Sequence, residues 1–302
     1  MIGFGRYASL LALVVLAACS TLAGGGSAKP TIKLGSTNFS EQLIVAELYG
    51  QVLEANGYTV ERKLNLGGRE IVAPALESGQ IDLYPEYLAT YVTFITKDST
   101  RATSDPGETH KILQDALDSK GLTALDFAPA VNTNGFVVTR AMADKNGLTK
   151  VSDLVRLNGQ LTLGGPPECP ARPFCLLGLQ QTYGLQLKEF KPLDAGGPLT
   201  VAALEGNQID VALLFTSDAV IKAKNLVLLD DDKHLQRADN VVPVVRDDLL
   251  SRAPNDFKRL VNGVTTRVTT EELIGLNRQV SVGRKTPKEA AAEWLRARGL
   301  TG

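Results

Sequence analysis

Residues 75–82 read ALESGQID, and 128 positions later residues 203–210 read ALEGNQID. Six of the eight positions are identical, and the same spacing aligns Tyr87 with Phe215. Self-similarity at a fixed spacing is the sequence signature of a duplicated architecture. Chance similarity is the alternative over a segment this short. We expect the terminal aspartates of both segments to cap the next turn rather than to touch a ligand.

A second pair of similar segments lies at nearly the same spacing. KLGS occupies 33–36 and TLGG occupies 162–165. Two pairs in one register favour two similar lobes over coincidence. Each lobe would run strand, turn and helix, then helix, strand and loop.

Strand and helix patterns alternate around these pairs. In the first third of the chain they predict a strand at 31–35, a helix closed by Gly57, a strand at 58–66, a helix at about 70–77 and a strand at 80–83. The later patterns predict a strand-like crossing at 130–140, a short helix at 151–155, a strand at 161–165, a helix at about 174–183 and C-terminal helices at 254–267, 270–279 and 287–298. Such alternation predicts mainly parallel sheets with helices on both faces. Asn38 and Glu41 have the spacing of a capping box, which predicts an N-cap at Asn38.

The overall composition excludes several classes of protein. The chain has 302 residues, of which 44% are hydrophobic and 22% charged, with a formal net charge of −1. That composition is typical of folded domains, and the length allows about two of them. A nearly balanced charge argues against a nucleic-acid partner, which requires a basic face.

The first thirty residues predict export and a tether. Arg6 precedes the apolar run ASLLALVVLAA at 8–18, which is too short to span a bilayer and is typical of a signal peptide at 1–18. The run closes in LAAC, which resembles a bacterial lipobox and implies a palmitate-bearing lipid anchor on Cys19. An ordinary signal peptide is the alternative. Residues 19–30 then form a Gly/Ser-rich tether.

The other two cysteines, Cys169 and Cys175, flank Arg172, which lies between two prolines. A disulfide is the default in an oxidising compartment, and two free buried thiols are the alternative. The pair lacks the further ligands that a structural zinc site needs, so we expect no metal and no cofactor. A bridge would hold the Arg172 guanidinium in a defined place.

Candidate ligand-binding side chains follow the predicted strand ends, where open α/β folds bind their ligands. They are Ser36, Thr37, Asn38, Tyr87, Thr90, Asn134, Arg172, Phe215 and Thr216. Arginine binds a carboxylate and an aromatic ring attracts a cation, so a small zwitterion suits this set. For Tyr87, a place in the core is the alternative interpretation.

Several of these residues lie in segments that are similar to a known family. The matching segments are GSTNFSEQ (35–42), GGREIV (67–72), QIDLYPEYLAT (80–90), NGLTKVSDL (146–154), ECPARP (168–173), TYGL (182–185), GNQIDVALLFTSD (206–218) and LLDDDKH (228–234). They resemble the substrate-binding proteins of ABC importers for glycine betaine, choline and related compatible solutes. The resemblance covers essentially the whole chain from residue 32 to about residue 299.

This resemblance implies an α/β, periplasmic-binding-protein-like (type II) fold, a two-lobe Venus flytrap with two chain crossings. The first lobe would comprise 31–132 plus 241–302 and the second 133–240, closing about crossings near 131–135 and 238–242. The implied protein is a monomer on the outer face of the bacterial cytoplasmic membrane, held there by its lipid anchor alone. It would deliver its solute to a permease and ATPase subunits and would have no enzymatic activity.

The same resemblance implies roles for four of the candidates. Tyr87 and Phe215 would form part of an aromatic cage for a quaternary ammonium group, and Thr90 and Arg172 would hold a carboxylate. Two further cage positions lack rings, one at Asn134 and one near residue 238. The alternative ligand is therefore bulkier or non-quaternary, an aromatic one included.

Overall fold

The computed structural model describes residues 1–2 and 29–302. The predicted signal segment, the lipidation site Cys19 and nearly all of the tether lie outside the described residues. Within the described ranges, no helix is both long enough and apolar enough to cross a membrane.

Ten described strands form two five-stranded sheets. They are β1 (Ile32–Gly35), β2 (Val60–Lys63), β3 (Leu83–Tyr87), β4 (Leu122–Ala124), β5 (Asn134–Thr139), β6 (Thr162–Gly165), β7 (Glu189–Pro192), β8 (Val211–Phe215), β9 (Leu226–Leu228) and β10 (Val241–Arg246). The strand order is β2-β1-β3-β10-β4 in the first sheet and β7-β6-β8-β5-β9 in the second. The two orders coincide when β1 is matched with β6, β3 with β8 and β10 with β5. Each sheet is the centre of one lobe, so the prediction of two similar lobes is confirmed.

Both sheets are mixed, yet four of the five strands in each run in the same direction, so the prediction of mainly parallel sheets is confirmed apart from one reversed strand per sheet. In the first sheet β1 is parallel to β2 and β3, whereas β10 is antiparallel to β3 and β4. The second sheet has the same pattern, with β5 antiparallel to β8 and β9. The antiparallel strands β5 and β10 are those that enter a lobe directly from a crossing. Strand periodicity carries no direction, so the sequence pattern does not reveal this reversal.

Helices cover the sheets. They are α1 (Ser40–Ala55), α2 (Arg69–Glu77), α3 (Leu88–Thr96), α4 (Pro106–Asp118), α5 (Arg140–Asn146), α6 (Leu176–Gly178), α7 (Pro198–Glu205), α8 (Ala219–Ala223), α9 (Asp247–Arg252), α10 (Asp256–Thr265), α11 (Thr270–Ser281) and α12 (Pro287–Ala297). The last three pack on the first lobe, where α12 and α10 contact α1. Trp294 of α12 is buried there, and its ring nitrogen donates a hydrogen bond to Glu272 at 2.7 Å.

Two helix predictions need correction. The N-cap of α1 is Phe39, not Asn38, and no side chain caps this end, because the Glu41 carboxylate points into the interior. The helix predicted at 174–183 is only α6 followed by a wide turn over Leu179–Tyr183. A Cβ atom at Gly178 would lie 1.9 Å from the Pro173 carbonyl oxygen, so the chain is pressed against the preceding loop there.

The duplicated segments join their sheets in the same way. The Asp82 carboxylate accepts a hydrogen bond from the backbone N–H of Lys33 at 2.9 Å, and Asp210 accepts one from Thr162 at 2.8 Å. Each aspartate thus ties the start of β3 or β8 to the neighbouring parallel strand, rather than capping the next turn.

The chain passes between the lobes twice, once between β4 and β5 and once between β9 and β10. The two crossings lie side by side. Val131 and Asn240 form an isolated antiparallel bridge, and the Asn132 N–H donates to the Asp239 carbonyl oxygen at 3.1 Å.

Candidate functional site

A cavity of about 530 Å³ lies between the two lobes, at the carboxyl ends of β3 and β8. Its walls come from both lobes and from the crossings. Seven of the nine residues predicted to bind a ligand line it, namely Thr37, Asn38, Tyr87, Thr90, Asn134, Arg172 and Phe215. The duplicated frame therefore brings together residues that are up to 178 positions apart in the chain.

The other two predicted residues, Ser36 and Thr216, lie outside the lining of this cavity. The buried Ser36 hydroxyl donates to the Thr37 carbonyl oxygen at 3.0 Å and accepts from the Asn65 N–H at 2.9 Å. The Thr216 hydroxyl accepts from the Thr133 N–H at 3.0 Å. Both side chains form hydrogen bonds to neighbouring loops, so they position loops that carry lining residues and do not line the cavity themselves.

Three aromatic rings meet in the cavity wall. Phe39 stacks on Phe215, with ring centroids 4.7 Å apart, and on Tyr87, with centroids 6.2 Å apart. Tyr87 and Phe215 are the last residues of β3 and β8, and Phe39 precedes α1. Phe39 is absent from the predicted set because it sits inside the supposed capping box. Its position just after β1 was the signal that could have identified it.

The Cys169–Cys175 disulfide is present, with the two Cα atoms 5.3 Å apart, as the spacing and compartment predicted. Within this loop the Arg172 guanidinium lies 2.9 Å from Glu70 and 3.1 Å from Glu168. Burial favours neutral Glu70, but the charge and hydrogen bonds of Arg172, together with a backbone hydrogen bond and the charge of Arg69, outweigh it and lower the pKa of that carboxyl. Since Glu70 belongs to α2 of the first lobe, the pair spans the cleft. Arg172 is thus already balanced by two carboxylates.

A buried ionic group supports the first-lobe wall. The Arg69 Nε donates to Glu86 at 2.6 Å, and its Nη2 donates to the Thr90 hydroxyl at 2.8 Å. Asp239 accepts from the Thr90 backbone N–H at 3.0 Å. Burial raises the pKa of Asp239 to about 7. These contacts hold Thr90 at the cavity edge in a single arrangement.

Some polar groups of the lining have no partner. The hydroxyls of Thr37 and Thr93 are buried and make no hydrogen bond to any described residue. Buried hydroxyls are normally paired, so these two are exceptions among the residues that line the cavity. Asn134, by contrast, donates to the Phe174 carbonyl oxygen at 2.9 Å.

Behind the rings, the Glu41 carboxylate is buried and accepts four hydrogen bonds. Its Oε1 accepts from the Tyr87 hydroxyl at 2.6 Å and from Asn132 Nδ2 at 2.8 Å. Its Oε2 accepts from the Ser217 hydroxyl at 2.5 Å and from Asn277 Nδ2 at 2.6 Å. Burial raises the pKa of Glu41, and the four donors oppose that shift. The spacing of Glu41 to Asn38 gave no hint of this role.

The groups that line the cavity are of the kinds that bind small molecules. Among residues 1–2 and 29–302, no three histidine, cysteine, aspartate or glutamate side chains are grouped so as to hold a metal ion. The lining combines aromatic faces, free hydroxyls and paired charges, which suits a small polar organic molecule.

A family model decides what kind of protein this is. The model OpuAC, described as the substrate-binding domain of ABC-type glycine betaine transport systems, matches residues 30–297. The chain belongs to this family. The inferred type II two-lobe fold and the function as substrate-binding protein of an ABC importer are thereby confirmed. Members are transport proteins that act on the extracytoplasmic side, and the match favours a quaternary ammonium solute over the bulkier alternative.

Individual relatives extend over the same length. The glycine-betaine-binding protein of Pseudomonas aeruginosa is 28% identical over 302 residues, covering 96% of this chain and 95% of that protein. The carnitine transport binding protein OpuCC of Listeria monocytogenes is 28% identical over 290 residues, covering 95% and 92%. A crystal structure described as a glycine betaine/carnitine/choline ABC transporter is 27% identical, with a TM-score of 0.69, covering 89% of this chain and 99% of that one.

Proposed function

We propose that this OpuAC-family protein captures a small quaternary ammonium solute, such as glycine betaine or choline, between its lobes and delivers it to an ABC permease driven by ATPase subunits. The observation that carries the proposal is the set of three aromatic rings, contributed by both lobes, in the wall of the cavity. The names of the relatives, one for glycine betaine and one for carnitine, support the same ligand class. The cleft binds and transports, and catalyses nothing.

The ammonium group would lie against the rings of Tyr87, Phe215 and Phe39. An aromatic face attracts a cation by about 0.5–2 kcal/mol, and more strongly away from water. The hydroxyl of Tyr87 is already donated to Glu41, which fixes the ring in the cavity wall. Phe174 adds a further ring to the lining, next to Asn134.

The polar end of the ligand would lie near Thr37 and the N-terminus of α1. The Thr37 hydroxyl is unpartnered among the described residues, and no side chain caps the helix. A helix N-terminus carries free N–H groups and partial positive charge, which suit a carboxylate. Asn38 and Thr90 flank this end. Because Arg172 is paired with Glu70 and Glu168, it would reach a ligand carboxylate only by sharing its donors.

The two lobes would comprise 31–132 plus 241–302 and 133–240. They would close about the crossings, and the Arg172–Glu70 pair would then hold the cleft shut from one lobe to the other. The protein would act as a monomer. Ser36 and Thr216 would fix the loops that carry the neighbouring ligand-binding residues.

We further propose that a signal peptide at 1–18 is removed and that Cys19 carries the lipid anchor, with 19–30 as the tether. Labelling of growing cells with an alkyne analogue of palmitate should mark the wild-type protein. The Cys19→Ser variant should remain unlabelled and unprocessed. Labelling of that variant would refute the anchor.

Calorimetric titration tests the ligand. We expect binding to one or more of glycine betaine, choline, carnitine and proline betaine. The control is 3,3-dimethyl-1-butanol, the uncharged carbon analogue of choline, which has the same shape without the cation. It should bind at least tenfold more weakly than choline if choline is a ligand, since it loses about 1.4 kcal/mol or more of cation–π attraction. Absence of heat with all four quaternary ammonium solutes would refute the proposal.

A further inference from the structure

The four hydrogen bonds of Glu41 connect parts of the molecule that move relative to one another when the lobes open. Glu41, Tyr87 and Asn277 belong to elements of the first lobe, whereas Ser217 follows β8 of the second lobe. Asn132 lies in the first crossing and also accepts from the Ser217 backbone N–H at 3.2 Å. We expect opening of the cleft to separate Ser217 from the carboxylate and to admit water beside it.

The surroundings of Glu41 contain no compensating cation. The first crossing and α11 present the neutral amides of Asn132 and Asn277, and within 29–302 no lysine or arginine side chain forms an ion pair with this carboxyl. The titratable groups that face it are Tyr87 on β3 and Asp218, next to Ser217. Closure thus removes an anion from water without supplying a positive charge, which favours the neutral form.

A buried acceptor lies beside the carboxylate. The Asn277 Nδ2 contacts Glu41 Oε2, whereas its Oδ1 is buried and has no partner among the described residues. If the amide turns over, Oδ1 faces the same carboxyl oxygen. A protonated carboxyl has one O–H to donate, and this oxygen can accept it.

We propose that Glu41 takes up a proton from solvent when the lobes close on the ligand, so that it is a positioning residue that couples ligand affinity to pH. Its carboxylate holds the Tyr87 ring on one side and the segment after Phe215 on the other. This inference rests on the proposed solute binding for its main measurement. The pH dependence of closure itself is measurable without a ligand.

The direction of the effect follows from the two states. In the closed form burial raises the pKa of Glu41, and in the open form contact with water returns that pKa towards its ordinary value of about 4.3. The closed form therefore binds the proton more tightly, and acid favours closure. Affinity should fall as pH rises from about 4.3 to the raised value, by at most about tenfold per pH unit.

Titration with glycine betaine between pH 5.5 and 8.5 tests the coupling, in paired buffers of different ionisation heat. The wild type should bind more tightly at acid pH and take up a fraction of one proton per ligand within the active range. Glu41→Gln should take up less of a proton than the wild type and show a flatter profile, because only Asp218 and Asp239, whose pKa burial raises to about 7, then titrate in this range. Glu47→Gln is the matched control, because Glu47 is a buried glutamate of the same helix whose partner is Arg62. It should retain the wild-type profile.

A second variant guards against misfolding of the first. Ser217→Ala removes one donor to the ionised carboxylate, so it should raise the closed-state pKa further and enlarge the affinity ratio between pH 5.5 and 8.5. A merely structural contact would weaken binding equally at both pH values. Asp218→Asn shows how much of the pH dependence comes from the nearby Asp218 carboxyl, whose pKa burial raises to about 7. A profile abolished by Asp218→Asn but unchanged in Glu41→Gln would overturn the proposal.

X-ray scattering without ligand keeps the two proposals apart. The wild type should be more compact at pH 5.5 than at pH 8.5, and Glu41→Gln should change less than the wild type. If no cation binds but scattering responds in this way, the solute class is wrong and the coupling stands. If solutes bind and neither affinity nor compactness depends on Glu41, the coupling is refuted.

Discussion

Tyr87 ends β3 and Phe215 ends β8, at equivalent points of two sheets with the same strand order. The Tyr87 ring is buried, and its hydroxyl is tied to Glu41. Phe215 is partly exposed and is held by its stacking on Phe39. The first lobe therefore contributes an anchored ring and the second a ring that rests on its neighbour.

The polar contacts behind the cavity wall also differ between the two lobes. The first lobe has the buried pair of Arg69 and Glu86, whereas the equivalent positions in the second lobe, 128 residues later, are Gly197 and Leu214. The aspartates that tie the strands together are present in both lobes. Residues that serve the frame are thus repeated, and residues that serve the cavity have diverged.

Glu86→Leu, which copies the second lobe into the first, should have the largest effect. It leaves the buried Arg69 guanidinium without its carboxylate and should lower the free energy of unfolding by about 3–5 kcal/mol. The double variant Arg69→Met with Glu86→Leu should recover most of that loss, because no unpaired charge remains. Urea denaturation measures both. If the double variant were less stable than Glu86→Leu, the loss of stability would not come from an unpaired Arg69 charge.

Asp239→Asn tests the ionic group from the side of the crossing. The folded-state pKa of about 7 lies above the ordinary value near 3.9, so the folded protein loses stability as pH rises through that interval. Asparagine at this position cannot ionise, so the variant does not lose stability in this way. It should be more stable than the wild type by up to about 4 kcal/mol above pH 7 and equal to it near pH 4. A stability difference that does not vary with pH would contradict the assignment.

Asp82→Ala and Asp210→Ala compare the repeated frame directly. Each removes a charge-assisted hydrogen bond to the neighbouring strand. Because Asp82 is buried and Asp210 is partly exposed, we expect losses of about 2–3 and about 1 kcal/mol respectively. Thermal or urea unfolding of the two variants gives the comparison. The reverse order would mean that burial does not set the strength of this contact.

Phe39→Ala removes the ring that both walls share. We expect glycine betaine affinity to fall about tenfold, or about 1.4 kcal/mol, with little change in stability, because Phe39 is partly exposed. Phe127→Leu is the control, since Phe127 is a partly buried ring that packs beside His110 and is not in the cavity lining. If the two variants bound glycine betaine equally well, Phe39 would not be part of the binding site.

The internal repeat made it possible to predict the two-lobe frame and two of the three aromatic rings in the cavity wall. Because 75–82 and 203–210 occupy equivalent places, the spacing alone aligned Tyr87 with Phe215. The disulfide followed from the compartment and the short spacing. These inferences depend on local pattern or on comparison of the chain with itself.

What escaped prediction depends on contacts between distant segments. Of the two carboxylates beside Arg172, Glu168 is close in sequence, but Glu70 lies 102 positions earlier and no local pattern joins it to Arg172. Glu41 has a capping-box spacing, yet its donors lie on β3, the first crossing, the loop after β8 and α11. The capping-box spacing therefore mispredicts the role of Glu41, because the buried network offers its carboxylate more hydrogen bonds than the helix end does.

The bridge between Val131 and Asn240 determines which motions are open to the lobes. Two paired segments behave as a narrow ribbon, which bends about its short axis far more easily than its strands slide past one another. Sliding would break the backbone hydrogen bond from Asn132 to Asp239, whereas bending preserves it. We therefore expect the lobes to open mainly by bending at this ribbon rather than by sliding along it.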